Sequence, residues 1–319
     1  MSTTQKGMPY VRLGNSGLKV SKIILGTMQY GTSEWQDWVL GEEEAIIHIK
    51  TAYDAGINTF DTADMYSNGL SEVVLGNAIK KLSLPRDEIV VYRVVGRTPS
   101  ERLSKPGVRP DQLGYVNQRG LSRKLRMLSP VDLLHLSDLT RTSIEETMQA
   151  LHDVVQAGYV RYIGMSSCLA YQYYAITNHL TPFISMQNHH NLIYREEERE
   201  MFPTLKMFGV GCIPWSPLAR GLLTLRGKSD SAINSYVQHE SDQDIMSRLE
   251  EVAKKKGASM AQIALAWSLA QDIVTAPVVG TTSLKHLQDL VGAINITLTA
   301  EERKYLEEPY QPKSVFGHR

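Results

Sequence analysis

One arginine lies in the middle of an otherwise apolar segment. Residues 87–96 read DEIVVYRVVG, in which Ile, Val and Tyr are typical of a buried β-strand and the glycine ends it. An unpaired buried charge is costly, so Arg93 either turns outward with its charged end in water or lies where its charge takes part in chemistry. The sequence leaves both alternatives open, and Arg93 is therefore a candidate catalytic residue.

Polar side chains that can donate, accept or transfer protons follow several other apolar runs. They are Asp61, Asp64, Tyr66, Ser166, Ser167, Gln187, Asn188, His189 and His190. Adjacent residues on a strand face opposite ways, so the two histidines do not share an ion, and we predict no metal site. The loop GTTSLKHLQDL (280–290) favours a phosphate-type anion, because free N–H groups and the helix dipole meet where a polar loop enters a helix.

Eight short apolar runs alternate with amphipathic, helix-like segments such as SIEETMQALHDVVQAG, which opens on Ser143 as a helix cap. This alternation predicts the α/β class and a closed parallel (β/α)8 TIM barrel, one domain over residues 1–319, with function at the C-terminal strand ends. VRLGNSGLKVS predicts an N-terminal β-hairpin under the barrel, and EERKYLEE an extra C-terminal helix. The apolar runs are 22–27, 57–63, 88–95, 131–137, 160–167, 183–188, 210–217 and 274–280.

Composition excludes several classes of protein. Lys plus Arg and Asp plus Glu both number 34, so no electrostatic footprint for nucleic acid or anionic membrane is present. Two cysteines, Cys168 and Cys212, suit a reducing compartment. No apolar run has the length of a membrane span, and the N-terminus lacks a signal-peptide core. We expect a cytoplasmic protein with a small-molecule substrate and no nucleic-acid or membrane partner; its oligomeric state is left open.

FDTADMYSNGLSEVVLG, VRYIGMSS, SMQNHHNLIYREEE, IPWSPLARGLLT and EPYQPKSVFGH together resemble the aldo-keto reductases. The resemblance covers nearly the whole chain and is strongest to the fungal aryl-alcohol-dehydrogenase-like and potassium-channel-β-like enzymes. It implies a barrel that holds NADPH across its mouth without a Rossmann motif. Tyr66 would be the general acid that protonates the carbonyl oxygen, with Asp61 as its electrostatic neighbour.

The same resemblance implies a set of cofactor-binding residues. Ser166, Ser167 and Gln187 would surround the nicotinamide carboxamide, and Trp215 would stack on the nicotinamide. Backbone N–H groups of Ser216, Leu218 and Gly221 would hold the pyrophosphate. The residues expected around the adenosine end are Thr281, Thr282, Lys285, His286 and Asp289.

The chain departs from the family pattern where members carry a lysine on the third strand and a histidine on the fourth. Without a gap, Val94 takes the lysine place and Arg93 faces outward; a one-residue slip turns Arg93 inward. Ser137 takes the histidine place and is expected in the substrate pocket. His135 lies two residues deeper on the same face, either as a relocated proton carrier or as a core residue. Between residues 120–124 and Asp132 the chain is too short for the usual third helix, which we therefore expect to be truncated.

Two further positions bear on ligands. The family's adenine-contacting asparagine corresponds to Leu290, and the basic residue for a 2′-phosphate corresponds to His286, with Lys285 beside it, so the preference for NADP over NAD is weakly encoded. Trp35 and Trp38 follow the first strand, where family members use aromatic residues to line the substrate pocket.

These losses favour a repurposed enzyme that performs a non-redox step, such as isomerisation, dehydration or cyclisation, on a carbonyl-bearing, secondary-metabolite-like molecule with Tyr66 and Asp61. The alternative is an NADPH-dependent aldehyde or ketone reductase of the aryl-alcohol dehydrogenase type, in which Arg93 and His135 substitute. A second alternative is a non-catalytic, nucleotide-sensing subunit. The sequence alone does not choose among the three.

Overall fold

The chain builds an eight-stranded parallel barrel surrounded by helices. The computed structural model describes residues 7–95, 131–136, 143–224 and 240–315, with 131–136 described at the level of the backbone. The barrel strands are β3 (Ile24–Gly26), β4 (Thr59–Ala63), β5 (Val90–Val95), β6 (Val131–Leu136), β7 (Val160–Met165), β8 (Ser185–Met186), β9 (Gly211–Cys212) and β10 (Val278–Val279).

The strands pair in parallel, in the order β10-β3-β4-β5-β6-β7-β8-β9. Isolated parallel bridges join Cys212 to Val274 and Trp215 to Val278, so the segment after β9 meets β10 and the sheet closes on itself. All eight predicted runs contain a strand, and the predicted TIM barrel is confirmed. The observed strands are shorter than the apolar runs.

The N-terminal hairpin is also confirmed. Its strands β1 (Tyr10–Arg12) and β2 (Lys19–Ser21) pair antiparallel. Gly14 in the turn has a φ of +57°, and a Cβ there would lie 2.5 Å from the Gly209 oxygen and 2.9 Å from the Ile184 oxygen. The turn therefore contacts the chain just before β8 and β9, and this close approach under the barrel requires a glycine.

Helices cover the outside of the barrel. In the described residues, the α-helices are α1 (Glu42–Asp54), α2 (Leu70–Lys81), α3 (Ile144–Gln156), α4 (Ala170–Thr177), α5 (Met201–Phe208), α6 (Glu240–Lys256), α7 (Met260–Leu269), α8 (Leu284–Val291) and α9 (Ala300–Glu307). Ser143 caps α3 as expected, since its hydroxyl accepts from the Glu146 N–H at 3.2 Å. Helix α9 is the expected C-terminal helix. The truncated helix expected between β5 and β6 lies outside the described residues.

The core has two parts. One fills the barrel interior with Leu13, Val20, Ile24, Tyr92, Ile213 and Val278, among others. The other lies between the strands and the surrounding helices, where Phe60 and Val91 pack with residues of α1 and α2. Strands covered on both faces explain why the strand segments are apolar without alternation. A polar side chain on such a strand is therefore either paired in the wall or placed at the mouth.

Candidate active site

Asp61 lies on β4 with only 2% of its surface exposed. The Gln187 amide Nε2 donates to its Oδ1 at 3.2 Å. Burial raises the pKa of Asp61 to about 8, and the Gln187 hydrogen bond offsets only part of that effect. The carboxyl is therefore largely protonated at neutral pH, which limits the electrostatic role that the resemblance implies for it.

Tyr66 begins a short 3-10 helix (Tyr66–Gly69) just after the end of β4. The turn is tight because Ser67 and Asn68 both adopt left-handed backbone conformations. Burial, reinforced by the nearby Asp61 carboxyl, raises the pKa of Tyr66 well above its ordinary value. The phenol therefore stays protonated and can donate a hydrogen bond, but it is a weak acid.

The structure corrects the expectation that Arg93 acts beside Tyr66. In the β4–β5 register Asp61 lies opposite Tyr92 and Thr62 opposite Arg93. Tyr92 packs in the barrel interior, so Arg93 faces the helix layer. There it forms an ion pair with Glu72 of α2, with its NH2 group 3.1 Å from Glu72 Oε2.

Val94 takes the interior position instead. It packs in the barrel-interior cluster with Tyr92 and Ala63, and is 7% exposed. The ungapped reading of the third strand is therefore correct, and the place where the resemblance expects a lysine holds an apolar side chain.

Of the two residues predicted to act at the fourth strand, His135 lies within the described backbone and Ser137 does not. The β5–β6 register places His135 opposite Val94. Ser137 lies outside the described residues, so its role in the substrate pocket stays a prediction, as does the role of His135 as proton carrier.

The two tryptophans expected in the substrate pocket lie together in the loop between β3 and α1. The rings of Trp35 and Trp38 meet edge to face with centroids 6.3 Å apart, and Trp38 is 44% exposed. The loop is joined to the Tyr66 turn, because the Thr32 N–H donates to the Ser67 hydroxyl at 3.3 Å. This contact brings the tryptophan loop to the side of the barrel that carries Tyr66.

The residues expected around the nicotinamide carboxamide do come together. Ser166 Oγ donates to the Gln187 backbone oxygen at 3.0 Å, linking the ends of β7 and β8. Asn188 Nδ2 lies 3.5 Å from the hydroxyl of Ser167, which has a φ of +47°. Gln187 itself reaches Asp61, so the expected cofactor anchor contacts the expected acid–base pair.

Trp215 is partly exposed at the end of β9. One face of its indole is covered by the imidazole of His189, with centroids 4.2 Å apart and planes 15° apart. The remaining exposure leaves aromatic surface for a flat ligand. This arrangement suits the stacking role that the resemblance assigns to Trp215.

The loop after Trp215 has an unusual backbone. Ser216, Ala219, Arg220 and Gly221 all have positive φ values, between +49° and +94°. The Gly221 N–H, expected to hold the pyrophosphate, donates instead to the Leu218 oxygen at 2.9 Å. The pyrophosphate role of Ser216 and Leu218 stays a prediction.

At the expected adenosine end, the side chains diverge. Thr282, Lys285 and His286 are exposed near the start of α8, and Thr281 Oγ1 accepts from the Ser283 N–H at 3.2 Å. Asp289 accepts from Ser259 Oγ at 2.5 Å and so joins α8 to the start of α7, while Leu290 is buried in the core. Asp289 thus has a structural partner, and its cofactor role stays a prediction.

Sequence reasoning missed how the histidine pair is used. His189 stacks between Trp215 and Tyr194, whereas His190 stacks on Trp267 and contacts Glu198 at 2.8 Å. In the sequence, the only sign of the stack is that His189 and Tyr194 lie close together in the run HHNLIY. Among the described residues, no cluster of three or more potential ligands is arranged to hold a metal ion.

The sequence profile of the Aldo/keto reductase family matches residues 22–311, which is most of the chain. The chain belongs to the aldo/keto reductase family. It is 46% identical to the versiconal hemiacetal acetate reductase of Aspergillus parasiticus, over 97% of this chain and 98% of that protein. It is 44% identical to a putative aryl-alcohol dehydrogenase of Schizosaccharomyces pombe, over 97% of both chains.

A crystal structure of the thermostable aldo-keto reductase Tm1743 with the inhibitor epalrestat superimposes with a TM-score of 0.75. It is 27% identical and covers 95% of this chain and 100% of its own. In the described part of this family member, no helix combines the length and apolarity needed to cross a membrane.

Aligned relatives are longer than this aldo/keto reductase in places. The alignment with the Aspergillus reductase extends over 342 residues, more than the 319 residues of this chain, and that with the Schizosaccharomyces protein over 348. Both relatives therefore contain residues that this chain lacks. This agrees with a shortened chain, while the connection in which we expect the shortening lies outside the described residues.

Proposed function

We propose that the protein is an NADP(H)-dependent reductase of a small aldehyde or ketone, of the aryl-alcohol dehydrogenase type, with a weakened acid. The carrying observation is the hydrogen bond from Gln187 to Asp61, which joins the expected nicotinamide anchor to the acid–base pair. The two relatives, a reductase and a putative dehydrogenase, favour this function over the non-redox step. Arg93 has no part in it.

The residues present fit a nicotinamide dinucleotide. Trp215 is partly exposed, Gln187 lies between Ser166 and Asp61, and the loop from Ser216 to Gly221 is a tight turn, a type of backbone that can bind an anion. Lys285, near the start of α8, is the candidate residue for binding a 2′-phosphate. When bound, such a cofactor supplies the hydride.

Tyr66 and Asp61 handle the proton. The Tyr66 hydroxyl donates a hydrogen bond to the substrate carbonyl and passes its proton to the oxygen as negative charge develops there. Asp61, largely protonated at neutral pH, adds little negative charge beside that oxygen. Val94 adds no cation, and burial keeps the pKa of Tyr66 above its ordinary value. Well-placed acid–base assistance is worth about 10²–10⁴ in rate, and we expect this enzyme to lack a large share of it.

Isotope transfer tests the proposal directly. NADPH deuterated at the reactive C4 position is incubated with a panel of aromatic aldehydes and ketones. We expect one deuterium in the alcohol product for each NADPH oxidised, at a low rate. Tyr66→Phe should lower turnover by about 10²-fold or more and leave cofactor affinity unchanged. NADPH that binds and is never oxidised across the panel would contradict the proposal.

A non-redox step on a carbonyl compound is the second candidate. It is favoured by Asp61, whose pKa of about 8 leaves an ionised fraction that can accept a proton from carbon while Tyr66 donates one to the carbonyl oxygen. This exchange needs no cation at the position of Val94. The same incubations distinguish it. Product formed without NADPH oxidation, with unchanged mass or with the loss of one water, would support this candidate over the reductase.

A further inference from the structure

Trp215 is held by its backbone between two strand extensions. Its N–H donates to the Asn188 oxygen at 2.9 Å, and the Val278 N–H donates to the Pro214 oxygen at 2.9 Å. These bonds fix the position of the Cα atom but not the plane of the indole, which rotates about two side-chain bonds. Something else must determine the ring plane.

A stack of three aromatic rings supplies that constraint. His189 lies between Trp215, at 4.2 Å and 15°, and Tyr194, at 4.3 Å and 21°. His189 and Tyr194 are 3% and 4% exposed, so the lower part of the stack is in the core. The indole of Trp215 can therefore tilt only if the buried rings of His189 and Tyr194 move with it.

The imidazole is held in its own plane by Asn191. Asn191 Nδ2 lies 3.2 Å from His189 Nε2 and donates to the Ser216 oxygen at 3.0 Å, while Asn191 Oδ1 accepts from the Ile193 N–H at 3.1 Å. Backbone bonds of 3.1 Å and 3.0 Å in both directions join Asn191 to Tyr194. One side chain therefore connects the stack to Ser216, the first residue of the loop that ends at Gly221.

The imidazole is also uncharged. Burial lowers the pKa of His189 to about 3. The nearby basic side chains of Arg220, His190 and Lys313 contribute to the lowering to a smaller extent. It therefore remains neutral across the working range of pH, and Asn191 donates to an unprotonated Nε2. A neutral ring stacks flat on the indole without the cost of desolvating a charge.

We propose that His189 is a positioning residue that fixes the plane of the Trp215 indole for stacking on the nicotinamide, with Tyr194 and Asn191 holding His189 in turn. This rests on the proposed function for the identity of the ligand. The order imposed on the indole is a property of the protein without ligand. A preset ring lowers the ordering cost of binding and places the reacting carbon with the precision that hydride transfer demands.

Paired substitutions separate stacking from hydrogen bonding. His189→Phe keeps a flat ring and loses Nε2, whereas His189→Leu loses the ring at similar volume. Tyr194→Phe is the matched control, because it keeps the lower ring and removes only a hydroxyl. Circular dichroism and thermal unfolding check that each variant is folded, and His189→Phe serves if His189→Leu is not.

The primary readout is the fluorine NMR signal of Trp215 in protein labelled with 5-fluorotryptophan. The protein has four tryptophans, and the signal of Trp215 is identified by its loss in Trp215→Phe. Without cofactor, we expect His189→Leu to shift and broaden the Trp215 signal, and His189→Phe and Tyr194→Phe to leave it sharp. In turnover, His189→Leu should lower kcat at least about 10-fold, with KM for the carbonyl substrate nearly unchanged, and His189→Phe less than about 3-fold.

The outcomes separate the two proposals. A folded His189→Leu protein with the wild-type Trp215 signal and kcat would overturn the positioning role. Equal loss in His189→Phe and His189→Leu would overturn it too, since the hydrogen bond and not the stack would then be responsible. If NADPH does not shift the Trp215 signal of the wild-type protein, the reductase proposal is contradicted. The signals of the cofactor-free variants would still decide the role of His189.

Discussion

At the scale of single residues, the chemistry depends on the apolar side chain of Val94 in the barrel interior. Asp61 is buried, contacts Gln187 and faces Tyr66 and Tyr92, whose pKa values it helps to raise. The next interior position on β5 is Val94. A carboxyl in this setting is stabilised as the neutral acid, and the phenol beside it is not acidified.

Val94→Lys should therefore increase reductase activity. An ammonium group in the barrel interior beside Asp61 favours the ionised carboxyl and lowers the pKa of Tyr66. We expect kcat for aldehyde reduction to rise about 10-fold or more, a part of the ~10²–10⁴ that acid–base assistance provides. Val94→Met is the control for size without charge. Equal kcat in the two variants would show that the cation is not what limits the rate.

The stability of the protein should report the raised pKa of Asp61. With a folded pKa of about 8 and an ordinary value of 3.8, the folded state binds a proton that the unfolded state releases across this range. The free energy of unfolding therefore falls as pH rises from 3.8 to about 8. Asp61→Asn removes this term and keeps an acceptor oxygen for Gln187.

We expect Asp61→Asn to unfold like the wild type near pH 4 and to be the more stable protein near pH 8, by about 1 kcal/mol or more. Urea unfolding at both pH values measures the difference, and titrations common to both proteins cancel in it. A stability difference that does not change with pH would mean that Asp61 is ionised in the fold.

At the scale of elements, Arg93 belongs to the contact between β5 and α2. Its guanidinium is 2% exposed and pairs with Glu72, whose side chain is 11% exposed. Removing one partner of a buried pair typically costs about 3–5 kcal/mol, whereas replacing both by apolar groups costs much less. The arginine that looked like a catalytic residue in the sequence connects the sheet to a helix.

Glu72→Gln should thus destabilise the fold by about 3 kcal/mol and leave kcat close to that of the wild type. The double variant Arg93→Met/Glu72→Met should recover part of the loss. Chemical denaturation of the single and double variants gives the coupling energy. A large fall in kcat in a folded Glu72→Gln protein would return Arg93 to the catalytic site.

At the scale of the whole molecule, the C-terminal tail joins parts of the barrel that are distant in sequence. Tyr310 Oη accepts from the Arg195 N–H at 2.9 Å and donates to Glu196 at 2.6 Å. Lys313 pairs with Asp242 at 2.7 Å, and the two side chains are 3% and 1% exposed. The tail therefore connects the loop after β8 to the start of α6.

A chain that ends at Glu308 should be less stable than the full chain. It loses the buried Lys313–Asp242 pair and the hydrogen bonds of Tyr310, together worth about 3 kcal/mol or more, which lowers Tm by about 4 °C or more. A chain that ends at Val315 is the control, because it keeps all of these contacts. Thermal unfolding of the three chains measures the effect, and equal Tm values would exclude a bracing role for the tail.

The sequence by itself determined the architecture and the family. Eight apolar runs separated by amphipathic segments predict a parallel barrel, because buried strands and half-buried helices differ in period whatever their neighbours. The motifs at the strand ends predict that Asp61, Tyr66, Gln187 and Trp215 lie at the same mouth of the barrel, because the C-terminal ends of parallel strands share one face.

Only the tertiary structure decided which way Arg93 points and what His189 does. A shift of one residue reverses every side chain on a strand, so the choice between Arg93 and Val94 needed the register with β4. The stack of His189 on Trp215 joins residues just beyond β8 and β9, which are far apart in sequence and meet only when these two strands pair in the sheet. Contacts of this kind are absent from any local pattern, since folding alone brings their partners together.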